Sequence, residues 1–371
     1  MKYILYPFAF LYSIVVSTRN IFFDIGILRS HRFPLWVISI GNLSAGGTGK
    51  SPHSEYIARL FEKLSRTTYE NLDLSFDKMG IISRGYGRVN KGFLLVNNSS
   101  NAREIGDEPM QLKKRLKDIY VGVDESRVRG IKILLSLNPQ LRMMILDDGF
   151  QHRYVKPNLS ILLTNYNDPF YNDTMLPAGL LREPKGGYKR AKIIIVTNTP
   201  LNITDVEKKL ILKNINPKPE QKVFFSSIYY EPLAPVFNKN LAAPVIDKSY
   251  TVLLLTGIAN THSLYNHVAE IARDVVHVPF ADHHFFTPAD IAKVAKEFSS
   301  ITNPNKIIIT TEKDSMRLLL GDLTKDFGTA PVFYLPISVK VHDETEFENE
   351  LIASIQSIPL NPNKPILKRK A

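Results

Sequence analysis

The stretch LWVISIGNLSAGGTGKSP, residues 35–52, runs from an apolar, β-branched segment into a glycine-rich turn that ends in Gly49-Lys50-Ser51. Strand, glycine loop and helix start follow one another as in the phosphate-binding pattern G-x-x-x-x-G-K-[ST], with Ser44 standing where the first glycine is usual. Gly46, Gly47 and Gly49, with Ala45 and Thr48 between and beside them, let backbone N–H groups approach phosphate oxygens. In that reading Lys50 reaches the β and γ phosphates and the Ser51 hydroxyl ligates Mg²⁺. Pro52 falls in the first turn of the following helix, where its missing N–H is tolerated. The stretch predicts an α/β fold that binds a nucleoside triphosphate, and it leaves open which group receives the phosphate.

Outward from this loop, short apolar runs alternate with more polar helical stretches: residues 80–86, 119–123, 143–148, 159–164 and 192–198. Strands alternating with helices predict a parallel sheet covered on both faces. A second series (251–258, 275–280, 306–314 and 332–339) predicts a smaller, Rossmann-like α/β lobe. Between them, KVFFSSIYYEPLAPVFN (222–238) alternates aromatic and small residues and carries two prolines, which suits an extended linker. The expected organisation is residues 1–30 as a membrane-associated helix, 31–222 as the P-loop lobe, 223–250 as linker and 251–371 as the second lobe. A chain of 371 residues with 44% hydrophobic residues can fill two cores.

The chain has no cysteine, which excludes disulfides, thiolate zinc sites and a cysteine nucleophile. A net charge of +11 points to anionic company: nucleic acid, acidic headgroups or a phosphorylated substrate. The segment YILYPFAFLYSIVVS (3–17) is nearly free of polar groups and is followed by Arg19, Arg29 and Arg32. It is shorter than the about 20 apolar residues of a spanning helix and contains Pro7, so it reads as a helix dipping into one leaflet. The alternative is a hydrophobic helix packed on the body of the protein. The tail KPILKRKA reads as a basic end, frayed or touching lipid.

MMILDDGFQHR (143–153) sets Asp147 and Asp148 at the end of a buried strand, where a carboxylate of the Walker-B kind approaches the P-loop metal. Adjacent acids repel unless a cation or donor compensates them; Asp148 also suits a helix cap. Gln151, His152 and Arg153 add donors at the same mouth. Asp107 and Glu108 precede Pro109 at a helix start, a capping arrangement that leaves a catalytic role for Asp107 open. LPAGLLREP (176–184) is a loop presenting Arg182 and Glu183, and FADHHFF (280–286) carries adjacent histidines suited to proton relay.

Taken in order, GNLSAGGTGKSP, ISRGYG, GDEPMQL, VGVDESR, LDDGFQHR, LPAGLLREP, FADHH and TTEKD resemble the segments of the tetraacyldisaccharide 4′-kinase family, the P-loop lipid kinases of lipid A biosynthesis in Gram-negative bacteria. The resemblance implies two α/β lobes, a strand linker and an N-terminal helix at the cytoplasmic face of the inner membrane. It implies transfer of the γ-phosphate of ATP, with Mg²⁺, to the 4′-hydroxyl of tetraacyldisaccharide 1-phosphate, giving lipid IV-A. Asp107 resembles the family's general base and His283 its orienting partner; counting from Asp282 favours His283 over His284. Lys50 and Ser51 hold phosphates and metal, with Asp147 and Asp148 near the metal. Glu108, Arg127, Gln151, His152, Arg182 and Glu183 resemble the remaining active-site polar set, with Arg127 and Arg182 suited to phosphate.

A lipid acceptor accounts for the apolar N-terminus, and an anionic acceptor at an anionic leaflet accounts for the basic excess, so nucleic acid is not expected as a partner. No feature calls for an obligate protein partner. A partition-type switch ATPase lacks support, because Ala45 replaces the lysine that would reach across its dimer. A non-catalytic basic module leaves Asp107, Asp147 and Asp148 around a phosphate loop unexplained. The role of residues 311–314 is not decided by the sequence.

Overall fold

The structure is a computed structural model that describes residues 2–69, 73–238, 240–320 and 323–356. The basic tail KPILKRKA lies outside these residues. The chain opens with helix α1 (Tyr6–Asp24), strand β1 (Trp36–Asn42) and helix α2 (Lys50–Thr67). It continues through β2 (Met79–Ser83), β3 (Leu94–Val96), α3 (Ala102–Ile105), α4 (Asp107–Arg115), β4 (Tyr120–Val123) and α5 (Arg127–Leu137). Then come β5 (Met143–Asp147), β6 (Leu159–Asn165), β7 (Ile193–Thr197), α6 (Asp205–Ile215), β8 (Lys222–Tyr230) and β9 (Ala234–Pro235). The rest is β10 (Thr251–Thr256), α7 (His262–Ile271), β11 (Asp274–Pro279), α8 (Pro288–Ser300), β12 (Lys306–Thr311), α9 (Glu312–Leu318), β13 (Val332–Leu335), β14 (Ile337–Val341) and α10 (Glu344–Gln356).

Two sheets form, with strand orders β14-β8-β7-β6-β1-β5-β2-β4-β3 and β11-β10-β12-β13-β9. In the larger sheet, among the described residues, only the edge strands β3 and β14 pair antiparallel. Strands buried on both faces must be apolar on both, which is why β1, β2, β5 and β7 read as continuous runs rather than alternating ones. Along β1, Ile38 and Ile40 join the core beneath α2, α4 and α10, while Val37 joins the opposite core with Ile131 and Leu134 of α5. The smaller sheet is filled the same way, by Ile291 and Val294 of α8 on one face and Leu264 and Val268 of α7 on the other.

Two expected boundaries differ from this structure. Residues 223–230, expected to begin the linker, lie in β8, which pairs parallel with β7 inside the larger sheet, and the following segment crosses to the smaller one. Nor do residues 337–356 belong to the smaller unit. β14 returns to pair antiparallel with β8, and Phe347, Leu351 and Ile355 of α10 enter the main core. Phe224 enters the core with Phe347 of α10 and Phe225 the opposite one with Ile211 of α6, so β8 is covered on both faces at its middle, while Tyr229 near its end is exposed.

β1 lies between β5 and β6, so the loop after β1 and the acids ending β5 emerge side by side at the carboxyl ends of parallel strands. That is where open α/β sheets bind ligands. The carboxyl ends of β10 and β12 in the smaller sheet supply Gly257 and Thr311 beside helix α9, which packs on α4 of the larger sheet.

Candidate active site

α2 starts at Lys50 with no side-chain cap, and its N-cap Gly49 has φ +75°, a left-handed conformation that glycine adopts without a Cβ penalty. Uncapped first-turn N–H groups and the positive end of the helix dipole make an anion cradle there. Lys50 Nζ donates to the Gly46 carbonyl at 3.3 Å and lies 3.9 Å from Asp148. The loop is braced from outside: Asn42 Nδ2 donates to Thr48 Oγ1 at 2.8 Å, and Ala45 N–H donates to the Leu180 carbonyl at 2.6 Å. Below it, His53 is buried with Nδ1 2.6 Å from the Gly49 carbonyl and Nε2 2.9 Å from Ser226 Oγ. Burial, only partly offset by the Gly49 carbonyl, lowers its pKa to about 4, so a neutral imidazole ties α2 to β8.

The adjacent acids Asp147 and Asp148 point to different partners, because Asp148 turns the chain with φ +51°. Asp147 is fully buried and accepts from Ser51 Oγ at 3.1 Å and Ser54 Oγ at 2.8 Å. Burial first, and the charge of Glu108 next, push its carboxyl up to about 6. Asp148 instead receives a two-pronged bond from Arg182, at 2.9 and 2.7 Å. Burial opposes its charge, but Arg182, Lys50 and Arg127 outweigh it and hold the carboxyl at about 2.

Arg182 also donates to Asn42 Oδ1, so its guanidinium is committed to the loop's frame. Gln151 Nε2 donates to the Asn42 carbonyl at 2.6 Å and to Glu183 at 2.9 Å, while Arg190 grips the buried Glu183 at 2.9 and 2.7 Å. Gly41 is what lets this layer close: a Cβ there would sit 2.8 Å from the Phe150 Cβ. Arg127 is buried, and among the described residues its side chain makes two long contacts, 3.4 Å to the carbonyls of Glu125 and Asp148, with no partner at Nε. Burial lowers its pKa to about 10 against the pull of Asp148, Asp147 and Asp124. His152 Nε2 also lacks a partner among the described residues, and burial first, then the charges of Arg127, Arg19 and Arg84, bring its pKa to about 4.

The second group comes from α4 and the smaller sheet. Asp107 opens α4, and its Oδ1 accepts the Glu108 N–H at 2.9 Å. Its Oδ2 lies 3.2 Å from Nδ1 of His283, which the turn after β11 presents with φ +57°. His284 turns away and pairs with Asp290 at 2.9 Å. Burial works against the Asp107 charge, yet the His283 bond and the charges of Lys313 and Arg317 hold its carboxyl at about 2. The same bond raises His283 above its ordinary value, against its own burial. Lys313 pairs with Glu108, and its charge also acts on Asp107 and Asp147, so dyad and phosphate loop share one electrostatic site.

For a divalent cation, a buried carboxylate without an ion pair among the described residues, beside the Ser51 hydroxyl, is a suitable donor set. Mg²⁺ takes one or two protein oxygens and completes its shell with phosphate and water. Asp148, already neutralised by Arg182, is the poorer ligand of the two. The Arg127 and Lys50 nitrogens supply the positive lining that a triphosphate needs, and the neutral His152 ring adds an uncharged polar nitrogen beside them.

A sequence model of the family described as tetraacyldisaccharide-1-P 4′-kinase (LpxK) matches residues 1–356. This chain belongs to that family. The tetraacyldisaccharide 4′-kinase of Bacteroides thetaiotaomicron is 39% identical over 364 residues, 95% of this chain and 93% of the relative. That of Flavobacterium psychrophilum is 42% identical over 361 residues, 96% and 98% of the two chains. Among solved structures, the "apo" form of Aquifex aeolicus LpxK in complex with ATP superposes with a TM-score of 0.71 at 27% identity, covering 95% of this chain and 99% of that one.

Within this tetraacyldisaccharide 4′-kinase fold, several groups at the site escaped the sequence reading. Ser54 lies one turn beyond Ser51 on the same face of α2, a spacing visible in the sequence. Asn42, His53, Lys313 and Arg317 are placed by contacts with residues distant in the sequence, Asn42 with Arg182, His53 with Ser226, Lys313 with Glu108 and Arg317 with Gly257. The segment 311–314 turns out to be the start of α9: Thr311 caps it through Asp314, Glu312 reaches Arg115 and Gln111, and Lys313 reaches Glu108.

Proposed function

We propose that the chain transfers the γ-phosphate of ATP to the 4′-hydroxyl of tetraacyldisaccharide 1-phosphate, at the cytoplasmic face of the inner membrane. The observation that carries the reading is the Asp107–His283 pair, a proton acceptor spanning the two sheets beside a P-loop whose Ser51 faces a buried carboxylate. A hydrolytic switch needs only an oriented water, whereas a buried carboxylate backed by an imidazole suits removal of a proton from an alcohol. In the transfer, Asp107 accepts the hydroxyl proton and His283 takes up the charge change; the acceptor oxygen bonds to Pγ as the bond to the leaving ADP breaks. Lys50 and the first-turn N–H groups hold the phosphates, and Arg127 supplies a buried positive charge beside them. Mg²⁺ held by Ser51 and Asp147 neutralises phosphate charge when bound. Arg182, Gln151 and Glu183 act by fixing the positions of Asp148 and Asn42 rather than by contact. The two sheets serve as two lobes that meet at α4 and α9.

Helix α1 supports the membrane part. No helix among the described residues is long and apolar enough to cross a bilayer. Yet Phe8, Phe10, Leu11 and Val15 are 60%, 67%, 59% and 66% exposed, a broad apolar surface that an interfacial helix buries in lipid. Its other side is fixed to the site loops: Tyr12 Oη donates to the Arg182 carbonyl at 3.1 Å, Arg19 to the Gln151 carbonyl at 3.1 Å, and Arg153 to the Asn20 carbonyl at 2.8 Å. An acceptor drawn from the leaflet would thus arrive beside Arg182 and Gln151. The test is incubation of purified protein with [γ-³²P]ATP, Mg²⁺ and tetraacyldisaccharide 1-phosphate in detergent. Label in the lipid that disappears with Lys50→Ala is the expected result; ATP hydrolysis with unlabelled lipid would discard the acceptor.

A further inference from the structure

Three acidic side chains, Asp107, Glu108 and Asp147, meet where a polyanionic nucleotide must also bind. Glu108 raises the cost of charge on Asp147, so the cluster is self-repelling unless a cation enters it. Among the described residues the ion pair to Glu108 comes from Lys313, which belongs not to the P-loop sheet but to the first turn of α9.

The two neighbours of Lys313 fasten that turn in opposite directions. Glu312 is buried and takes a two-pronged bond from Arg115 of α4, 2.8 Å at each oxygen, and a third from Gln111 at 2.8 Å. Asp314 is buried in the smaller sheet, accepting the Gly257 N–H at 3.0 Å and the Thr311 hydroxyl at 2.6 Å, and it is ion-paired with Arg317 at 2.7 Å. Arg317, itself buried, donates on to the carbonyls of Gly257 at 3.0 Å and His284 at 3.2 Å, the turn that carries His283. Lys313 is therefore held between an anchor on each sheet. Its side chain, 31% exposed, reaches from the first turn of α9 to Glu108 of α4.

We propose that Lys313 is a positioning residue of the phosphoryl-transfer site: it pins Glu108, and through it the first turn of α4 from which Asp107 faces His283. The inference rests on the kinase reading above. A salt bridge of purely structural worth predicts something different, namely altered stability with turnover per folded molecule unchanged.

The absence of cysteine from the chain gives a selective test, since Lys313→Cys introduces its only thiol. Alkylation with 2-bromoethylamine rebuilds an ammonium of nearly lysine length, whereas iodoacetamide leaves a neutral adduct. We expect Lys313→Cys to lower kcat for lipid phosphorylation at least tenfold with KM for ATP changed less than threefold. Bromoethylamine should restore most of the loss and iodoacetamide none. Glu108→Gln should lower kcat comparably, and combining it with Lys313→Cys should cost little more than either alone, because both act on one pair. Three results overturn the proposal: kcat retained in folded Lys313→Cys, rescue by the neutral adduct, or losses that multiply in the double variant. Unlabelled lipid with the unaltered enzyme instead sinks the kinase reading, and the same variants are then scored on ATP hydrolysis, where the same three results still overturn it.

Discussion

Replacing His283 by alanine removes the largest favourable contribution to the Asp107 carboxylate. That carboxyl is 5% exposed, and holding it at about 2 rather than 3.8 corresponds to about 2.5 kcal/mol net in favour of the charged form. A hydrogen bond to a charged group is worth about 1.5–3 kcal/mol, so its loss cancels most of that margin. Lys313, Arg317 at 3.7 Å and the Glu108 N–H still face the carboxylate, while Asp282 at 3.8 Å and the Tyr86 ring face the histidine. Asp107 is depressed, so its share of stability is present above about pH 4 and disappears as pH falls toward about 2. His283 is raised, so its share is complete below its ordinary value near 6.5 and is lost as pH rises through its elevated one. The two overlap between about pH 4 and 6.5, where His283→Ala should cost most, about 1–3 kcal/mol, shrinking toward pH 9. Activity runs the other way. The pair accepts a proton from the substrate only with the imidazole neutral, so kcat should rise with pH through an apparent pKa above 6.5. In His283→Ala the limb should move into the carboxylate range, with the plateau lowered about tenfold to hundredfold. Profiles of kcat from pH 5 to 9, beside thermal unfolding at pH 5.5 and 8.5, test both halves. A variant limb superimposed on the parent's, or a parent profile flat from pH 5 to 8, would refute the argument.

Lys50→Ala and Asp147→Asn should each remove most turnover, since phosphoryl transfer depends on positioning and charge neutralisation; Asp147→Asn should also weaken Mg²⁺ dependence in a metal titration. Asp107→Asn should lower kcat about 10²–10⁴-fold with ATP affinity largely kept, measured by steady-state kinetics against nucleotide binding. Phe10→Glu with Val15→Glu should abolish flotation with anionic vesicles while leaving ATP binding intact, because both side chains point away from the protein body. Gly41→Ala should lower the unfolding temperature and activity together, as Phe150 and the 148–151 turn must move to admit a methyl group.

What the sequence determined by itself is whatever depends on neighbours a few positions apart. The P-loop was legible because its function needs glycine freedom, a lysine and a hydroxyl in one short register, and the buried parallel strands were legible because both their faces must be apolar. The ordered motifs carried the family as well. Tertiary structure decided the rest, for a common physical reason: each depends on contacts between distant parts of the chain. Whether Asp107 is only a helix start depends on His283, 176 positions away. Whether Asp148 meets a metal or a guanidinium depends on Arg182 and on a left-handed turn at Asp148 itself. β8 resembled a linker because its single-strand pattern says nothing of its partners β7 and β14, and the return of β14 and α10 to the first core is a matter of packing. Residues 311–314 carried no legible role because Lys313 finds Glu108 only where the two sheets meet.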